Sequence, residues 1–333
     1  MINNYQRRNN KVLNISKKDI KEYYSMEECM KAVQDAFRLF SQGKVEVPLR
    51  TQIKNEEGTG TYLCMPAYCQ EYDASCVKVL NMFPGNVEKG LPTINAQILV
   101  MDTETGVING SVDGTYVTQL RTGAASGVAF RLLAKRHCEI GALIGTGGQA
   151  ATQLEAMLTA KELKEVRVYD LDFERAKNFA ESVRKSLAKF PTEIIAVADA
   201  DEAIDNADLI TTVTSSTQAV FDGNKVKAGA TISGVGSYQP HMQEIPVELL
   251  KRASKIYFDS QEAVLAEAGD LLVPLDKGEI TKDKFTGDIG QLASNELLGR
   301  ENDEEIILFE TVGIAAQDLM TAKSIFTKIQ END

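Results

Sequence analysis

The feature that most narrows the fold is the segment 140–158. Ile140-Gly-Ala-Leu-Ile144 is an apolar run of strand length, Gly145-Thr146-Gly147-Gly148-Gln149-Ala150 is a glycine turn, and Ala151, Leu154, Met157 and Leu158 recur at helical spacing. Strand, turn and helix in that order open a dinucleotide-binding βαβ unit. Gly145 permits the tight turn, Gly147 lets the backbone approach a pyrophosphate, and Ala150 lets helix pack closely on strand, with the anion at the helix N-terminus. Gly-x-Gly-x-x-Ala alone is a weak signal, since glycine turns occur in many loops. The flanking periodicities strengthen it, and so does Asp170, which ends the strand Val166-Arg-Val-Tyr169 and stands 20 residues beyond Ala150. An acid there accepts hydrogen bonds from the adenosine ribose and repels the 2′-phosphate of NADP, which favours NAD as cofactor. The alternative for Asp170 is a solvated acid in series with Asp172 and Glu174.

The rest of the second half repeats this texture. Apolar runs at Ile140–Ile144, Val166–Tyr169, Ile194–Val197, Leu209–Val213, Thr231–Val235 and Ile256–Phe258 alternate with helical segments, which predicts six parallel strands with right-handed crossovers. Upstream, Ser25-Met26-Glu27-Glu28 forms a capping box, and Cys29, Val33, Ala36, Phe37 and Phe40 predict a helix over 25–41. Extended runs at Tyr62–Met65, Cys76–Leu80 and Ala96–Met101 are broken by Gly, Pro and Asn, as in a mixed sheet. Leu120, Ala124, Val128, Leu132 and Leu133 predict a helix over 116–134 that leads from the first region into the second. Past Gly299-Arg300 come an acidic turn and a helix whose Val312, Ala316, Leu319 and Ala322 share a face. Periodicity leaves open whether that helix completes the second region or returns to the first. The fold class is α/β, and 333 residues suit two domains.

Composition removes several function classes. With 43% apolar and 25% charged residues the chain is an ordinary globular one, and its net charge of -12 argues against a nucleic-acid or anionic membrane surface. No run approaches the ~20 apolar residues of a membrane span. The N-terminal MINNYQRRNNKV is followed by no apolar core of a secretory signal, so a cytoplasmic location is expected. Five cysteines at irregular spacing do not form a disulfide framework; Cys64, Cys69 and Cys76 lack metal-ligand spacing and a nearby His, so no metal site is expected. The only histidines are His137, just before the first strand of the parallel sheet, and His241, in a loop near its expected active edge. A histidine-based triad is therefore not expected.

The sequence resembles the ornithine cyclodeaminase/μ-crystallin family, which also holds archaeal-type alanine dehydrogenases and ketimine reductases. The matching segments are Val47-Pro-Leu-Arg-Thr51, Met65-Pro-Ala67, Val77-Lys-Val79 with Phe83-Pro-Gly-Asn86, Leu91-Pro-Thr93, Leu120-Arg-Thr-Gly-Ala124, Ile144-Gly-Thr-Gly-Gly-Gln-Ala150, Val235-Gly-Ser-Tyr238, and Phe309 with Val312-Gly313 and Gln317-Asp318. They span nearly the whole chain in order. The resemblance implies a Rossmann-type doubly wound parallel-sheet domain over 119–307, inserted in a discontinuous α+β domain of residues 1–118 and 308–333 that binds substrate and forms a homodimer.

It also implies that Arg50, Lys78 and Arg121 surround the substrate carboxylate and act in catalysis. Thr93, Arg121, Gly145, Gly147, Gly148, Gln149, Ala150, Asp170, Thr214, Val235, Gly236 and Ser237 would then hold NAD. The chemistry is coherent, because a guanidinium grips a carboxylate through two parallel hydrogen bonds. A lysine desolvated in the apolar strand Cys76-Val-Lys-Val-Leu80 has its pKa lowered towards proton transfer. Without the resemblance, Lys78 would read as a lysine on the wet face of a strand, and both arginines as surface charges. The implied activity is reversible hydride transfer between NAD(H) and the α-carbon of a small amino or imino acid, as in alanine dehydrogenase or ketimine reductase. Two departures from cyclodeaminases put ring closure in doubt: Leu63 replaces a glutamate two residues before Met65-Pro66, and Gly236-Ser237-Tyr238-Gln239-Pro240 replaces a loop carrying an aspartate. A cyclodeaminase that recycles its NAD, an opine-type condensing dehydrogenase and a non-catalytic cofactor-binding protein of the μ-crystallin type are the alternatives.

Overall fold

Two sheets share one layer of helices in the computed structural model, which describes residues 12–48 and 51–332. The chain opens with β1 (Leu13–Ile15), α1 (Lys17–Tyr23) and α2 (Met26–Ser41). Each helix starts at a capping box, Ser16 with Asp19 and Ser25 with Glu28, in which side chain and backbone satisfy each other's free donors. Then come β2 (Thr51–Lys54), β3 (Thr61–Cys69), β4 (Ala74–Met82), β5 (Ile94–Met101) and β6 (Ile108–Asp113). They form a six-stranded mixed sheet in the order β1-β6-β5-β4-β3-β2, parallel only between β1 and β6. The three extended runs read from the sequence are the middles of β3, β4 and β5.

Helix α3 (Gly114–Leu133) leads into the second sheet. This contains β7 (Ile140–Ile144), β8 (Glu165–Tyr169), β9 (Glu193–Ala196), β10 (Leu209–Thr212), β11 (Thr231–Gly234), β12 (Lys255–Phe258), β13 (Phe285–Asp288) and β14 (Ile307–Glu310). The order is β13-β12-β14-β11-β10-β7-β8-β9, parallel throughout. Its main crossover helices are α4 (Ala150–Ala160), α5 (Phe173–Ser186), α6 (Ala200–Ile204) and α7 (Val247–Arg252), with α8 (Gln261–Glu267) and α9 (Gly269–Asp276) between β12 and β13 and α10 (Ile289–Ala293) between β13 and β14. Strand order reverses at β7, so a crevice opens between the C-terminal ends of β7 and β10, the place where doubly wound sheets bind dinucleotides.

The six expected strands are β7 to β12, and β13 and β14 are additional. β14 was hidden because a four-residue buried strand directly follows the acidic stretch 301–305, too short a run to show a period. It answers the question about the C-terminus in an unexpected way. β14 inserts between β11 and β12, and only then does α11 (Ala315–Gln330) return to pack on α2, α3 and β4. Val312 precedes α11 instead of lying on its face. Divisions at 118/119 and 307/308 each fall inside an element, α3 and β14 respectively.

β14 joins two cores through the alternation of a strand. Ile307 and Phe309 point into the core shared with Phe37 of α2, Val128 of α3 and Leu319 of α11, while Leu308 points into the core of the opposite sheet face. α3 fits between the sheets because it is lined with small residues. A Cβ on Gly123 would stand 2.4 Å from the Thr152 carbonyl oxygen of α4, and one on Gly127 would stand 2.8 Å from Met30 Sδ of α2. Since a backbone carbonyl cannot swing aside, Gly123→Ala should cost about 1–3 kcal/mol or more through overpacking. Gly85→Ala, whose new methyl meets nothing within 4 Å, should stay within about 0.5 kcal/mol. Urea denaturation midpoints of the two variants check the contrast.

Candidate active site

The dinucleotide end of the crevice is built from the β7 turn. Gly145 has φ +102°, and a Cβ there would lie 2.8 Å from the Val213 carbonyl oxygen, so only glycine lets this turn meet the segment after β10. Beside it, a Cβ on Gly147 would meet nothing within 4 Å and one on Gly148 only Gln119 at 3.8 Å, which leaves an open backbone cradle. Gln149 occupies the N-cap position of α4 without a side-chain cap bond, and its buried Oε1 has no partner among the described residues. Ala150 N–H donates to the Gly147 carbonyl at 3.1 Å, and the next first-turn N–H groups of α4 remain available to an anion. Ala150 is fully buried against the sheet.

Asp170, at the end of β8, accepts from the Thr146 N–H at 3.0 Å and the Thr146 hydroxyl at 2.5 Å. Partial burial works to raise its carboxyl, but the bonds from Thr146 and the Asp172 N–H, with Arg175 Nε 3.8 Å away, hold it below the usual carboxylate value. It is an ionised, half-buried acid beside the cradle. Open glycines, an uncapped helix and an acid on the second strand together fit a dinucleotide with a free 2′-hydroxyl.

At the other end of the crevice lie Thr214, after β10, and Val235, Gly236 and Ser237, after β11. Val235 N–H donates to the Thr212 carbonyl at 3.1 Å, and Ser237 Oγ donates to the Met242 carbonyl at 2.9 Å. Thr93 lies on the other sheet, at the entry to β5, where its carbonyl accepts from Phe83 N–H at 2.8 Å.

Between the first sheet, α3 and α11 lies a buried ionic network. Inward positions on β4 alternate as Ala74, Cys76 and Lys78, so Lys78 faces the core and is only 2% exposed; the wet-face reading is wrong. Its Nζ donates to Asp318 Oδ2 of α11 at 2.5 Å. Arg121 of α3 donates from Nε to Asp318 Oδ1 at 3.3 Å and from Nη1 to Gln317 Oε1 at 2.9 Å. Gly313, at φ +82°, makes room for this guanidinium, since a Cβ there would stand 2.3 Å from Arg121 Nη1. Desolvation pulls the Lys78 pKa below its ordinary value, and Asp318 opposes that pull. Burial would raise Asp318, but Lys78 and Arg121 overcome it and keep the carboxylate ionised. Arg50 lies outside the described residues.

Asp318, the acid at the centre of this network, was passed over as a site candidate in the sequence, although an acid on the apolar face of a buried helix is the signal that could have found it. A second set was also missed. Glu244 and Asp270 are fully buried beside the loop after β11, Glu310 ends β14, and Asp259 follows β12. Asp259 accepts from the Ser260 N–H, the Gly313 N–H and the Thr311 hydroxyl at 2.6–2.7 Å, and burial pushes its carboxyl up to about 6. Neither oxygen of Glu310 meets an N–H or O–H donor among the described residues. Its hydrogen-bonding neighbour is the Asp270 carboxyl, so a single proton between the two acids satisfies both. Burial and the adjacent Glu244 push Asp270 up to about 8; burial and Asp270 push Glu310 well above its usual value.

His137 is exposed before β7, and His241 is exposed in the loop after Ser237. The five cysteines are free thiols. Among the described residues no cluster of His, Cys, Asp and Glu has the makings of a metal site, and no helix is long and apolar enough to cross a membrane.

The raised acids give stability an unusual pH dependence. Asp259 and Asp270 have folded values of about 6 and 8 against an ordinary 3.8, so between about pH 5 and pH 8 the folded chain binds more protons than the unfolded one. Stability must then fall as pH rises through that window, whereas acids held low, such as Asp208 at about 2, are fully ionised there and contribute no slope. The thermal unfolding midpoint should decline from pH 5 to pH 8. Glu310→Gln, which hands Asp270 a permanent donor, should flatten the decline; a wild-type midpoint that climbs would refute the shared proton.

Comparison with known proteins places these features in context. The model of the ornithine cyclodeaminase/mu-crystallin family matches residues 10–333. A Delta(1)-pyrroline-2-carboxylate reductase of Bacillus cereus is 35% identical over 320 residues, covering 96% of this chain and 97% of that protein. The solved Delta(1)-pyrroline-2-carboxylate reductase of Thermococcus litoralis, in complex with NADH and L-proline, superposes with a TM-score of 0.90 at 37% identity, covering 96% of this chain and 98% of that one. An archaeal alanine dehydrogenase dimer with bound NAD superposes with a TM-score of 0.87 at 34% identity and 97% coverage of both chains.

Proposed function

The chain belongs to the ornithine cyclodeaminase/mu-crystallin family, and from that premise we infer that it is an NAD-dependent oxidoreductase acting on the Cα–N bond of a small amino or imino acid. The substrate we propose is a five-membered cyclic imine carboxylate, Δ1-pyrroline-2-carboxylate, reduced to proline. The observation that carries this reading is the buried trio in which two cations, Lys78 and Arg121, share the single carboxylate of Asp318 within hydrogen-bonding reach. That arrangement leaves positive charge to be balanced, and an anionic substrate supplies the balance.

The glycine turn and Asp170 would hold the dinucleotide, which when bound would supply the hydride that the α-carbon takes up. The remaining work belongs to the protein. Arg121 has Nε and Nη1 committed to Asp318 and Gln317, which fixes the guanidinium plane before substrate arrives. Its free edge, with Arg50, receives the substrate carboxylate. Lys78 Nζ holds the proton that the imine nitrogen takes as the carbon is reduced, and the desolvation that lowers its pKa makes that proton easier to release. Asp318 holds Lys78 in place and returns it to the charged state when solvent reprotonates it.

Thr93, Gly148, Gln149, Thr214 and Val235 to Ser237 complete the proposed cofactor contacts. The division into a Rossmann domain and a discontinuous substrate domain is part of the same proposal, with the crossings best placed in α3 and after β14. So is a cytoplasmic homodimer. Ile53, Tyr62 and Val79 project together from the outer face of β2, β3 and β4, 62%, 50% and 51% exposed, as an apolar patch of the kind a second copy covers. The solved archaeal relative described as a dimer supports it.

A second reading, alanine dehydrogenase, is favoured by the 34% identity to that archaeal enzyme. Cyclodeamination finds less support, since Leu63 is a buried apolar residue paired with Leu80, and Ser237 is committed to the Met242 carbonyl. The deciding assay follows NADH absorbance with Δ1-pyrroline-2-carboxylate in one cuvette and pyruvate plus ammonium in another. Faster oxidation with the cyclic imine supports the proposal; oxidation only with pyruvate and ammonium replaces it by the second reading. Lys78→Ala should lower kcat by about 10²- to 10⁴-fold while leaving NADH binding in place, and full turnover by this variant would remove Lys78 from the mechanism.

A further inference from the structure

Glu244 is fully buried, yet it stands outside the proposed chemistry. It lies on the segment between β11 and α7, and its carboxylate spans two chains at once: Oε1 accepts from Thr214 N–H at 2.5 Å and Oε2 from Gly236 N–H at 2.6 Å. Thr214 follows β10 and Gly236 follows β11, so one side chain bridges the two loops that border the crevice at its far end from Asp170. The bridged segments are in van der Waals contact. A Cβ on Gly236 would stand 2.2 Å from the Thr214 carbonyl oxygen and 2.4 Å from Glu244 Oε2. Contact continues to the β7 turn, where a Cβ on Gly145 would stand 2.9 Å from Thr214 Cγ2.

Glu244 is itself held from behind. Asp270 Oδ1 accepts from the Glu244 N–H at 2.6 Å and the Ile245 N–H at 2.8 Å, and Asp270 N–H donates to Ser237 Oγ at 3.1 Å. Each link is buried and made to backbone, so the geometry belongs to the residue type at 244: two oxygens at glutamate length reach two amides. Glutamine offers one oxygen and turns an NH₂ towards an N–H donor. Aspartate falls a methylene short.

We propose that Glu244 is a positioning residue that fixes the separation of the loops after β10 and β11 and thereby shapes the nicotinamide half of the cofactor site, with Asp270 as its support. This rests on the NAD-dependent reading above and deepens it. The adenosine half, built from Asp170, Thr146 and the glycine cradle, is held by other groups. Glu244 therefore acts on one half of the dinucleotide only.

The test measures binding and needs no substrate. In Glu244→Gln, NADH affinity by fluorescence should weaken about tenfold or more, as expected when a buried acceptor is replaced by a donor facing a donor, while the affinity for ADP-ribose, which lacks the nicotinamide, stays within about twofold. Unchanged NADH affinity overturns the proposal, and so does a parallel loss for both ligands, which is what a general loss of structure gives. Hydrogen exchange on the wild-type protein supplies a check that no folding defect can blur. The Thr214 and Gly236 amides should be strongly protected without NADH, and rapid exchange at both overturns the clamp. Failure of the cyclic imine as substrate leaves the NADH and ADP-ribose contrast untouched, so the two ideas fail separately.

Discussion

The ion pair between Lys78 and Asp318 is the contact around which the rest of the molecule is arranged. It joins β4 to a helix 240 residues further along the chain, and Arg121 adds the long helix α3. Such an arrangement is a poor source of stability, because removing two charges from water costs several kcal/mol per ion and the attraction regained is of similar size. An apolar trio would hold α11 to β4 as well or better. The buried charges therefore indicate a requirement of the site, and the fold is what keeps them from solvent: α11 returns over the first sheet, with Leu319 and Met320 beside Asp318.

That return depends on β14. By inserting between β11 and β12, the strand delivers the chain to the active edge of the second sheet, from which Thr311 to Ile314 lead directly to Gln317 and Asp318. Gly313 then meets the Arg121 guanidinium, and Asp259 binds the Gly313 and Thr311 groups from the second sheet. Helix α3 and the second sheet thereby grip the same short linker. This explains how Asp318 on α11 keeps register with the loop after β11, although among the described residues no strand runs from one sheet into the other.

The readable parts of the sequence were those with local cause. The glycine turn, the capping box at Ser25 and the long runs of β7 to β12 each follow from short-range spacing, and the structure has them where spacing put them. What escaped was decided by tertiary placement. The apolar run Ile306–Phe309 is compatible with a buried strand, but only the pairing of both its edges with β11 and β12 gives it a place in the sheet. Glu244, Asp270, Glu310 and Asp318 each read locally as surface acids, and their burial depends on partners tens of residues away. Lys78 shows the same limit. Resemblance singled it out, but only the register of β4, with Cys76 and Lys78 on one face, establishes that it points inward.

The two polar layers differ in a way the chemistry requires. In the network around Asp318, two basic side chains, Lys78 and Arg121, face one carboxylate. Behind the loop after β11, burial and mutual proximity raise Asp270 and Glu310, so these two acids hold protons that ordinary carboxyls would have lost. Had all of these acids been ionised, their combined field would offset Lys78 and Arg121 and leave less attraction for a substrate carboxylate. Holding protons among them keeps the loops tied by hydrogen bonds without cancelling the cationic site. The net charge of -12 on the whole chain does not oppose an anionic substrate for a related reason. Exposed charges are screened over roughly 8 Å at physiological ionic strength, whereas the buried trio acts at contact in a medium that screens little.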